Sequence, residues 1–309
     1  MTMRTDGAPD GWLVIDKPPG VSSNQVVGVV RRLTGTKVGH AGTLDPLATG
    51  VLPIALGEAT KTTAYAMSGQ KRYRFRVRWG VARATDDCEG DIVAESSSRP
   101  SRSAIEEVLP RFTGTILQSP PPYSAIKVGG HRAYKLARAA VTPVLAARLV
   151  QIAELRLVTL PDRDHADCEA LVGKGTYIRA LARDLGAALG TLAHVAGLRR
   201  LSVGRFTAEL AISLDSAIAR RHSLGASGYL LPIETALDGI PALALTATEA
   251  ARVRCGQSVT PHDTRVRAAL DRLTEGTIAS VWFNRAVIAL AKVENGYLRP
   301  VRVFNRRED

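Results

Sequence analysis

The stretch from Lys71 to Trp79, KRYRFRVRW, alternates strictly between charged and less polar side chains. Because successive side chains of a strand point to opposite faces, the alternation predicts a β-strand whose buried face carries Tyr73, Phe75, Val77 and Trp79. Like charges on the other face repel unless negative charge lies against its four arginines, Arg72, Arg74, Arg76 and Arg78. Phosphate can supply that charge, and so can acidic neighbours such as Asp86, Asp87 and Glu89.

The segment before this strand predicts a short strand, a capped helix and a loop. Residues 12–15, WLVI, are typical of a buried strand. Ser22 followed three residues later by Gln25 is typical of a capping box, which predicts a helix that ends at Gly35. The next stretch, 39–50, reads GHAGTLDPLATG and is too rich in Gly, His, Thr and Asp-Pro for regular structure. We expect it to form a loop, the kind of segment that often carries function.

The segment after this strand predicts a second strand and helix. Residues 168–172 are typical of a strand, and residues 178–189 carry the apolar stripe of an amphipathic helix. Between them, Gly173-Lys174-Gly175 predicts a turn. Residues 131–148 form a basic, alanine-rich segment, which fits a mobile clamp on RNA as well as a solvated helix face.

The last part of the chain predicts a small separate unit. Proline and glycine interrupt the pattern between residues 228 and 241, and three strand-like stretches follow. We therefore predict one domain over 1–238 and a compact β-rich domain over 239–309.

The composition indicates the class of partner. Forty-one Lys and Arg against 29 Asp and Glu give a formal net charge of +12, and the pI is near 10.0, which favours a polyanionic partner such as nucleic acid. The three cysteines are widely spaced, so neither a disulfide framework nor a structural zinc site is expected. No apolar run approaches the roughly 20 residues that span a bilayer, and the first twenty lack a signal-peptide core. We expect a reduced, cytoplasmic protein.

Asp45 is the first candidate for chemistry. It lies in the glycine-rich loop before Pro46, which restricts the backbone and lets the carboxylate project. An Asx-turn or a helix cap is the ordinary alternative for such a residue. His40 can be a base, a metal ligand or a stacking group, but no second histidine lies nearby in the sequence to complete a metal site. The sequence also lacks G-x-S-x-G, G-x-x-x-x-G-K-[ST] and H-E-x-x-H.

The loop 39–50 resembles the signature of the tRNA pseudouridine synthases of the TruB type, which convert the uridine of the TΨC loop to pseudouridine. The resemblance extends in family order over most of residues 11–210. Its other motifs are KPPG at 17–20, the tyrosine-bearing strand at 71–80, the proline-rich segment at 121–127, GTYIR at 175–179 and the basic LRR segment at 198–206.

The resemblance implies a role for each matching residue. Asp45 takes the place of the catalytic aspartate, and His40 that of the histidine that helps to hold the opened RNA loop. Tyr73 matches the tyrosine that stacks on the target base. The remaining matches are the tyrosine and arginine flanking the aspartate and the apolar residue that closes the pocket: Tyr177, Arg179 and Leu198.

The resemblance also implies the fold and the partners. It implies an α+β core of mixed, largely antiparallel sheet with flanking helices, and, through residues 298–304, a PUA-like RNA-binding domain at the C-terminus. The expected substrate is the T-arm stem-loop of tRNA at position 55, with no DNA, membrane or protein partner, and the expected state is a monomer. The reaction gains no atom, so no cofactor and no metal are expected.

These roles are consistent with the chemistry of a base that must leave its stack. A flipped base needs an aromatic face, which Tyr73 supplies. An arginine beside Asp45 is expected to lower the pKa of the carboxylate and keep it ionised. The ionised group can attack the sugar C1′, attack the ring or remove a sugar proton, and the sequence leaves these three open.

Three alternatives remain. The first is a non-catalytic tRNA-binding or RNA-folding protein on the same scaffold, which the intact set of Asp45, Tyr73 and Arg179 argues against. The second is a pseudouridine synthase that depends on a guide RNA. The third is a glycoside hydrolase, which needs a second carboxylate, with Asp16 or Asp184 as candidates.

Overall fold

A computed structural model describes residues 9–124, 126–139, 145–221 and 228–305. Its strands, in chain order, are β1 (Gly11–Lys17), β2 (Val38–His40), β3 (Thr49–Leu56), β4 (Lys71–Trp79), β5 (Val81–Arg83), β6 (Ile92–Glu95), β7 (Gly114–Gln118), β8 (Lys127–Val128), β9 (His131–Arg132), β10 (Arg148–Asp162), β11 (His165–Val172), β12 (Ala193–Val203), β13 (Phe206–Thr207), β14 (Ile212–Ser213), β15 (Leu230–Leu231), β16 (Ala242–Ala244), β17 (Ile278–Phe283), β18 (Ala286–Glu294) and β19 (Tyr297–Val303).

The helices are mostly short and lie between the strands. In chain order they are α1 (Ser23–Thr34), α2 (Thr63–Ser68), α3 (Arg102–Val108), α4 (Ala133–Arg138), α5 (Ile178–Ala188), α6 (Leu214–Ala219), α7 (Ala247–Arg254) and α8 (Thr264–Asp271). Short 3-10 helices occur at Gly57–Thr62, Leu109–Phe112, Ala208–Leu210 and Ile233–Leu237.

One large sheet organises most of the chain. Its strands run in the order β14-β1-β3-β12-β4-β11-β10-β7, with β2 on β3, β13 on β12 and β15 on β1. The pairs β1–β14 and β3–β12 are parallel, and the other pairs are antiparallel. Helix α5 packs on one face of β4 and shares a core with Phe75 and Trp79. The expectation of an α+β fold with a mixed, largely antiparallel sheet is confirmed.

The strand predicted over 71–79 is β4, with the predicted bounds. Phe75, Val77 and Trp79 are buried in the main core, and Tyr73 is half-buried beside it. On the opposite face, three of the four arginines pair with carboxylates, through Arg72–Glu169 at 3.1 Å, Arg76–Asp167 at 2.6 Å and Arg78–Asp164 at 2.9 Å. Arg74 is exposed and forms no ion pair within the described residues. For these three arginines acidic neighbours are the correct alternative, but they come from β11 and its hairpin rather than from residues 86–89.

The predicted capped helix is α1. Ser22 accepts a hydrogen bond from the Gln25 backbone N–H, the Gln25 side chain accepts one from the Ser22 N–H, and Gly35 ends the helix at φ 62°. The loop predicted over 39–50 is shorter than expected. Its first two residues belong to β2 and its last two to β3, because the main chain at both ends pairs with neighbouring strands.

The strand and the helix predicted after β4 are both present. The strand at 168–172 lies in β11, and the helix that follows the Gly173–Gly175 turn is α5, with its predicted stripe buried. In the basic segment 131–148, α4 covers six residues, and residues 140–144 lie outside the described part of the chain.

The C-terminal strands form a separate sheet that packs against the main core. The three predicted stretches are β17, β18 and β19, and β16 completes the sheet beside β17. Val287, Leu290 and Phe304 share a buried cluster with Trp12 and Phe206. Two hydrogen bonds join the last strand to the turn after β3: Lys61 Nζ donates to Val303 O at 2.7 Å, and Asn305 N donates to Glu58 Oε2 at 2.6 Å.

Gly50 allows β3 and β12 to approach at the end of the loop. It has φ +99°, and a Cβ there would lie 2.1 Å from the Arg200 carbonyl oxygen. We expect Gly50→Ala to lower the free energy of unfolding by about 2–5 kcal/mol through backbone strain and overlap. Gly190→Ala is the control, because Gly190 has φ +68° and open space around its Cβ position. It should lose only about 1–2 kcal/mol. Urea unfolding measures both, and equal losses would contradict this packing.

Candidate active site

The loop that carries Asp45 is fixed by its neighbours on both sides. Ser23 at the start of α1 donates from Oγ to Leu44 O at 3.0 Å and accepts from Leu44 N at 2.8 Å. Pro46 O accepts hydrogen bonds from Gly20 N at 2.9 Å and from Lys17 Nζ at 3.1 Å. The KPPG segment and the first residue of α1 therefore hold the residues on either side of Asp45.

Arg179 binds the Asp45 carboxylate. It is the second residue of α5, and its Nε lies 3.0 Å from Asp45 Oδ2. The guanidinium also donates from Nη1 to Thr85 O and from Nη2 to Tyr123 O, both at 2.9 Å. Its side chain is only 6% exposed. Because the fork is held at several points, it presents a fixed donor to Asp45.

A second carboxylate shares this arginine. Asp87 Oδ2 lies 3.2 Å from Arg179 Nη1, and its side chain is 3% exposed. Asp87 Oδ1 accepts hydrogen bonds from Thr85 Oγ1 and from Glu89 N. Arg179 therefore pairs with two carboxylates at once: that of Asp87, which is buried, and that of Asp45, which faces two cavities.

The net effect on Asp45 is an elevated pKa. Desolvation by the surrounding protein is the largest influence and raises the pKa, and Asp87 raises it further; Arg179 is the strongest opposing influence. The expectation that arginine would lower the pKa is correct for the contribution of Arg179 and wrong for the net direction. The Asp45 side chain itself remains 38% exposed, toward the two cavities that it lines.

Five of the six predicted residues line one cavity. It has a volume of about 320 Å³ and is bordered by Asp45, Tyr73, Tyr177, Arg179 and Leu198. This volume lies at the lower end of the range for small-ligand sites, about 300–1,000 Å³. A half-buried aromatic ring, an apolar side chain and a carboxylate held by arginine thus meet in a single space. A second cavity of about 510 Å³ lies on the other side of Asp45, beside Asp87 and the start of α1.

Tyr177 and His40 have different positions. The Tyr177 main chain exchanges hydrogen bonds with the Gln118 side chain, and its ring lies under the Arg148 guanidinium, 5.7 Å from centroid to Cζ. His40 lies in β2 and does not line the 320 Å³ cavity. Burial and the nearby Arg200 lower the pKa of His40, which favours the neutral imidazole.

Several residues of the site were missed from the sequence. The partner role of Asp87 depends on contacts between distant segments, and nothing in the sequence around it indicates that role. Lys71, Lys174 and Arg200 also line the cavity with Asp45. Lys174 stands directly before GTYIR and Arg200 inside LRR, so the motifs mark their location but not their orientation.

The described residues contain neither a metal-binding cluster nor a membrane-spanning helix. No group of three or more His, Cys, Asp and Glu side chains in these ranges is arranged to hold a metal ion. No helix within the same ranges is long and apolar enough to cross a membrane.

Two known families match residues 31–238, and individual proteins resemble this chain over nearly its whole length. Residues 31–178 match the family described as "TruB family pseudouridylate synthase (N terminal domain)", and residues 179–238 match "tRNA pseudouridylate synthase B C-terminal domain". The "tRNA pseudouridine synthase B" of Rhodospirillum rubrum is 50% identical, covering 99% of this chain and 100% of that protein. That of Bradyrhizobium diazoefficiens is 52% identical, covering 96% of this chain and 86% of that protein.

Solved structures share the fold. A chain of the structure titled "Crystal Structure of a Cbf5-Nop10-Gar1 Complex" superposes with a TM-score of 0.74 at 25% identity, covering 97% of this chain and 86% of that one. A chain of "Crystal structure of the archaeal box H/ACA sRNP Nop10-Cbf5 complex" gives 0.72 at 23% identity, covering 97% and 88%.

Proposed function

Because this chain belongs to the TruB family of pseudouridylate synthases, we propose that it converts the uridine at position 55 of the tRNA TΨC loop to pseudouridine, with Asp45 as the catalytic carboxylate. The observation that carries this proposal is the meeting of Asp45, Arg179 and Tyr73 at one cavity, with Asp45 Oδ2 held 3.0 Å from Arg179 Nε. No other carboxylate lines that cavity within the described residues.

The geometry supports a division of roles. A base in a loop must leave its stack to reach Asp45, and Tyr73 offers an aromatic face for the flipped base. Leu198 closes the apolar wall and Tyr177 borders the cavity near Arg179. We infer that His40 contacts the opened RNA loop from outside the cavity.

The reaction balances without a cofactor. The bond from N1 to C1′ breaks, the base rotates, and a bond from C5 to C1′ forms. C5 then loses its proton and N1 gains one, so no atom is added. Asp45 attacks C1′, attacks the ring or removes a sugar proton, and each route needs the ionised carboxylate that Arg179 favours.

The rest of the molecule fits an RNA substrate. We propose that the domain over 239–309 is a PUA-like RNA-binding domain and that 1–238 is the catalytic domain. We further propose that the enzyme acts in the cytoplasm as a monomer, on tRNA alone. The guide-dependent alternative is less favoured, because named tRNA pseudouridine synthase B proteins are about 50% identical to this chain, whereas the matching chain of the archaeal box H/ACA sRNP structure is 23% identical.

The test uses purified protein with a T-arm stem-loop and with full-length tRNA, without guide RNA, nucleotide or added metal. We expect pseudouridine to appear at position 55, measured by digestion to nucleosides and chromatography. Binding of both RNAs without conversion would instead support a non-catalytic tRNA-binding protein or a missing guide.

The elevated pKa of Asp45 predicts the pH dependence of this activity. Because catalysis needs the ionised carboxylate, kcat/KM should fall on the acid side at a higher pH than for an ordinary aspartate. Asp87→Asn removes a negative charge that raises the Asp45 pKa, so this acid limb should move to lower pH. The matched control is Asp86→Asn, because Asp86 pairs with Arg183 instead, at 2.9 Å. Equal shifts of the acid limb in Asp87→Asn and Asp86→Asn would contradict the conclusion that Asp87 raises the Asp45 pKa.

A further inference from the structure

Two buried cations line the cavity without a carboxylate partner. Lys71 is 8% exposed, and its Nζ donates to Met67 O and Gly69 O, both at 2.6 Å. Arg200 is 1% exposed; its Nε donates to Val51 O at 2.7 Å and its Nη2 to Gly42 O at 2.9 Å. In the described part of the chain, no ion pair involves either side chain.

Buried cations without a carboxylate partner are the reverse of the usual arrangement, in which buried charges are paired. On the opposite face of the same sheet, Arg72, Arg76 and Arg78 are partly exposed to solvent, yet each pairs with a carboxylate. Buried charges normally need pairing more than exposed ones, since removal from water is costly. Lys71 and Arg200, which are more buried than these three arginines, lack the carboxylate partner that each of the three has.

The charges around Lys71 confirm the imbalance. Its pKa is lowered to about 8, first by burial and then by Arg200 and Lys174, and no acidic group offsets these influences. Lys174 is exposed and lines the same cavity, at the turn between β11 and α5. Three cations besides Arg179 thus border the space that also holds Asp45 and Tyr73.

We propose that Lys71, Lys174 and Arg200 form a phosphodiester subsite, which takes the backbone phosphate next to the flipped nucleotide. The RNA then supplies the negative charge that this side of the cavity lacks. Lys174 meets the phosphate directly, and Lys71 and Arg200 supply positive charge from behind, where low dielectric strengthens their attraction. This inference rests on the proposed function, because it requires an RNA substrate.

The subsite has a mechanistic consequence. Arg200 also holds the carbonyl of Gly42, three residues before Asp45. A phosphate drawn toward Arg200 would therefore take a fixed position relative to the loop that carries the catalytic carboxylate. Fixing the backbone beside the target nucleotide sets the position of its sugar relative to Asp45, which is the proximity that the reaction needs.

The test measures how lysine variants bind RNAs in which one phosphodiester linkage has been made neutral. Methylphosphonate linkages are placed one at a time on the 5′ and 3′ sides of the target uridine, and one in the stem serves as a control. Filter binding measures Kd for wild type, Lys174→Met and Lys71→Met. Arg163→Met is the matched control, because Arg163 is an exposed cation in the hairpin between β10 and β11, outside the cavity lining. The same incubations are analysed for pseudouridine.

We expect one linkage beside the target to weaken wild-type binding about 10-fold when neutralised, as for loss of a charge-assisted hydrogen bond. For Lys174→Met and Lys71→Met, neutralising that same linkage should raise Kd less than about 2-fold, because these variants have already lost the attraction between the lysine and the phosphate. Arg163→Met should keep the full response. Equal responses of all four proteins at every linkage, with normal conversion, would overturn the subsite alone. Absence of both binding and conversion would overturn the proposed function and the subsite with it.

Discussion

Replacing Arg179 with methionine is expected to abolish activity and to destabilise the protein by about 3–5 kcal/mol, since it leaves the buried carboxylate of Asp87 without its cation. Asp87 loses its 3.2 Å partner and Asp45 its 3.0 Å partner. Because Arg179 lowers the Asp45 pKa, its loss should raise that pKa further. Any residual activity should therefore lose its acid limb at a higher pH than wild type, opposite to the shift in Asp87→Asn.

Arg179→Lys separates charge from geometry. Lysine keeps the positive charge but lacks the planar fork that reaches Asp45, Asp87 and the Tyr123 carbonyl at once. We expect this variant to fold and to lose at least about 100-fold in kcat/KM. Arg183→Met is the control on the same helix: its side chain is 31% exposed, and it pairs with the buried carboxylate of Asp86 rather than with Asp45. This variant should lose about 1–3 kcal/mol of stability and keep a kcat/KM near that of wild type. Similar losses of kcat/KM in Arg183→Met and Arg179→Met would show that the loss comes from disturbance of α5 and not from the contact between Arg179 and Asp45.

Asp45→Asn is expected to reduce single-turnover conversion at least about 1,000-fold, because an amide can act neither as nucleophile nor as base. The substitution preserves the size of the side chain, and Arg179 keeps Asp87 and two carbonyl acceptors. RNA affinity should therefore change less than about 3-fold, given that Asp45 contributes charge rather than contact area.

Stability gives a second readout for this variant. The Asp45 pKa is higher in the folded protein than in the unfolded chain, so the ionised group opposes folding at neutral pH. That cost disappears as the pH falls and both states take up the proton. Asp45→Asn removes the cost at pH 7, and its thermal midpoint should equal or exceed that of wild type. A clear loss of stability would indicate that Asp45 is a structural cap, as in an Asx-turn.

The fold was predictable where local rules were strong. Strict alternation located β4 to the residue, and the Ser22–Gln25 box located α1. Strands β10 and β12 were not predicted, because β10 is largely exposed and β12 is half-buried on both faces, which removes the two-residue hydrophobic period. Helix α8 was missed for a similar reason, since its buried side is formed by little more than Leu270.

The site was predictable as a set of residue types but not as an electrostatic arrangement. The motifs identified Asp45 and Arg179, and the fold brings them to 3.0 Å. The sharing of Arg179 with Asp87 joins segments distant in sequence, so no local pattern shows it. The same holds for the net pKa of Asp45, because desolvation depends on packing rather than on neighbours in the chain.

The most direct test of the central claim follows tritium released from C5 of the target uridine in a T-arm stem-loop, with RNA binding measured in parallel. Wild type alone should release tritium without guide RNA, nucleotide or added metal, and Asp45→Asn should bind the RNA yet release none. Release by Asp45→Asn at the wild-type rate would contradict the assignment of Asp45. Binding without release by wild type, on both the stem-loop and full tRNA, would contradict the proposal that this chain is a stand-alone synthase.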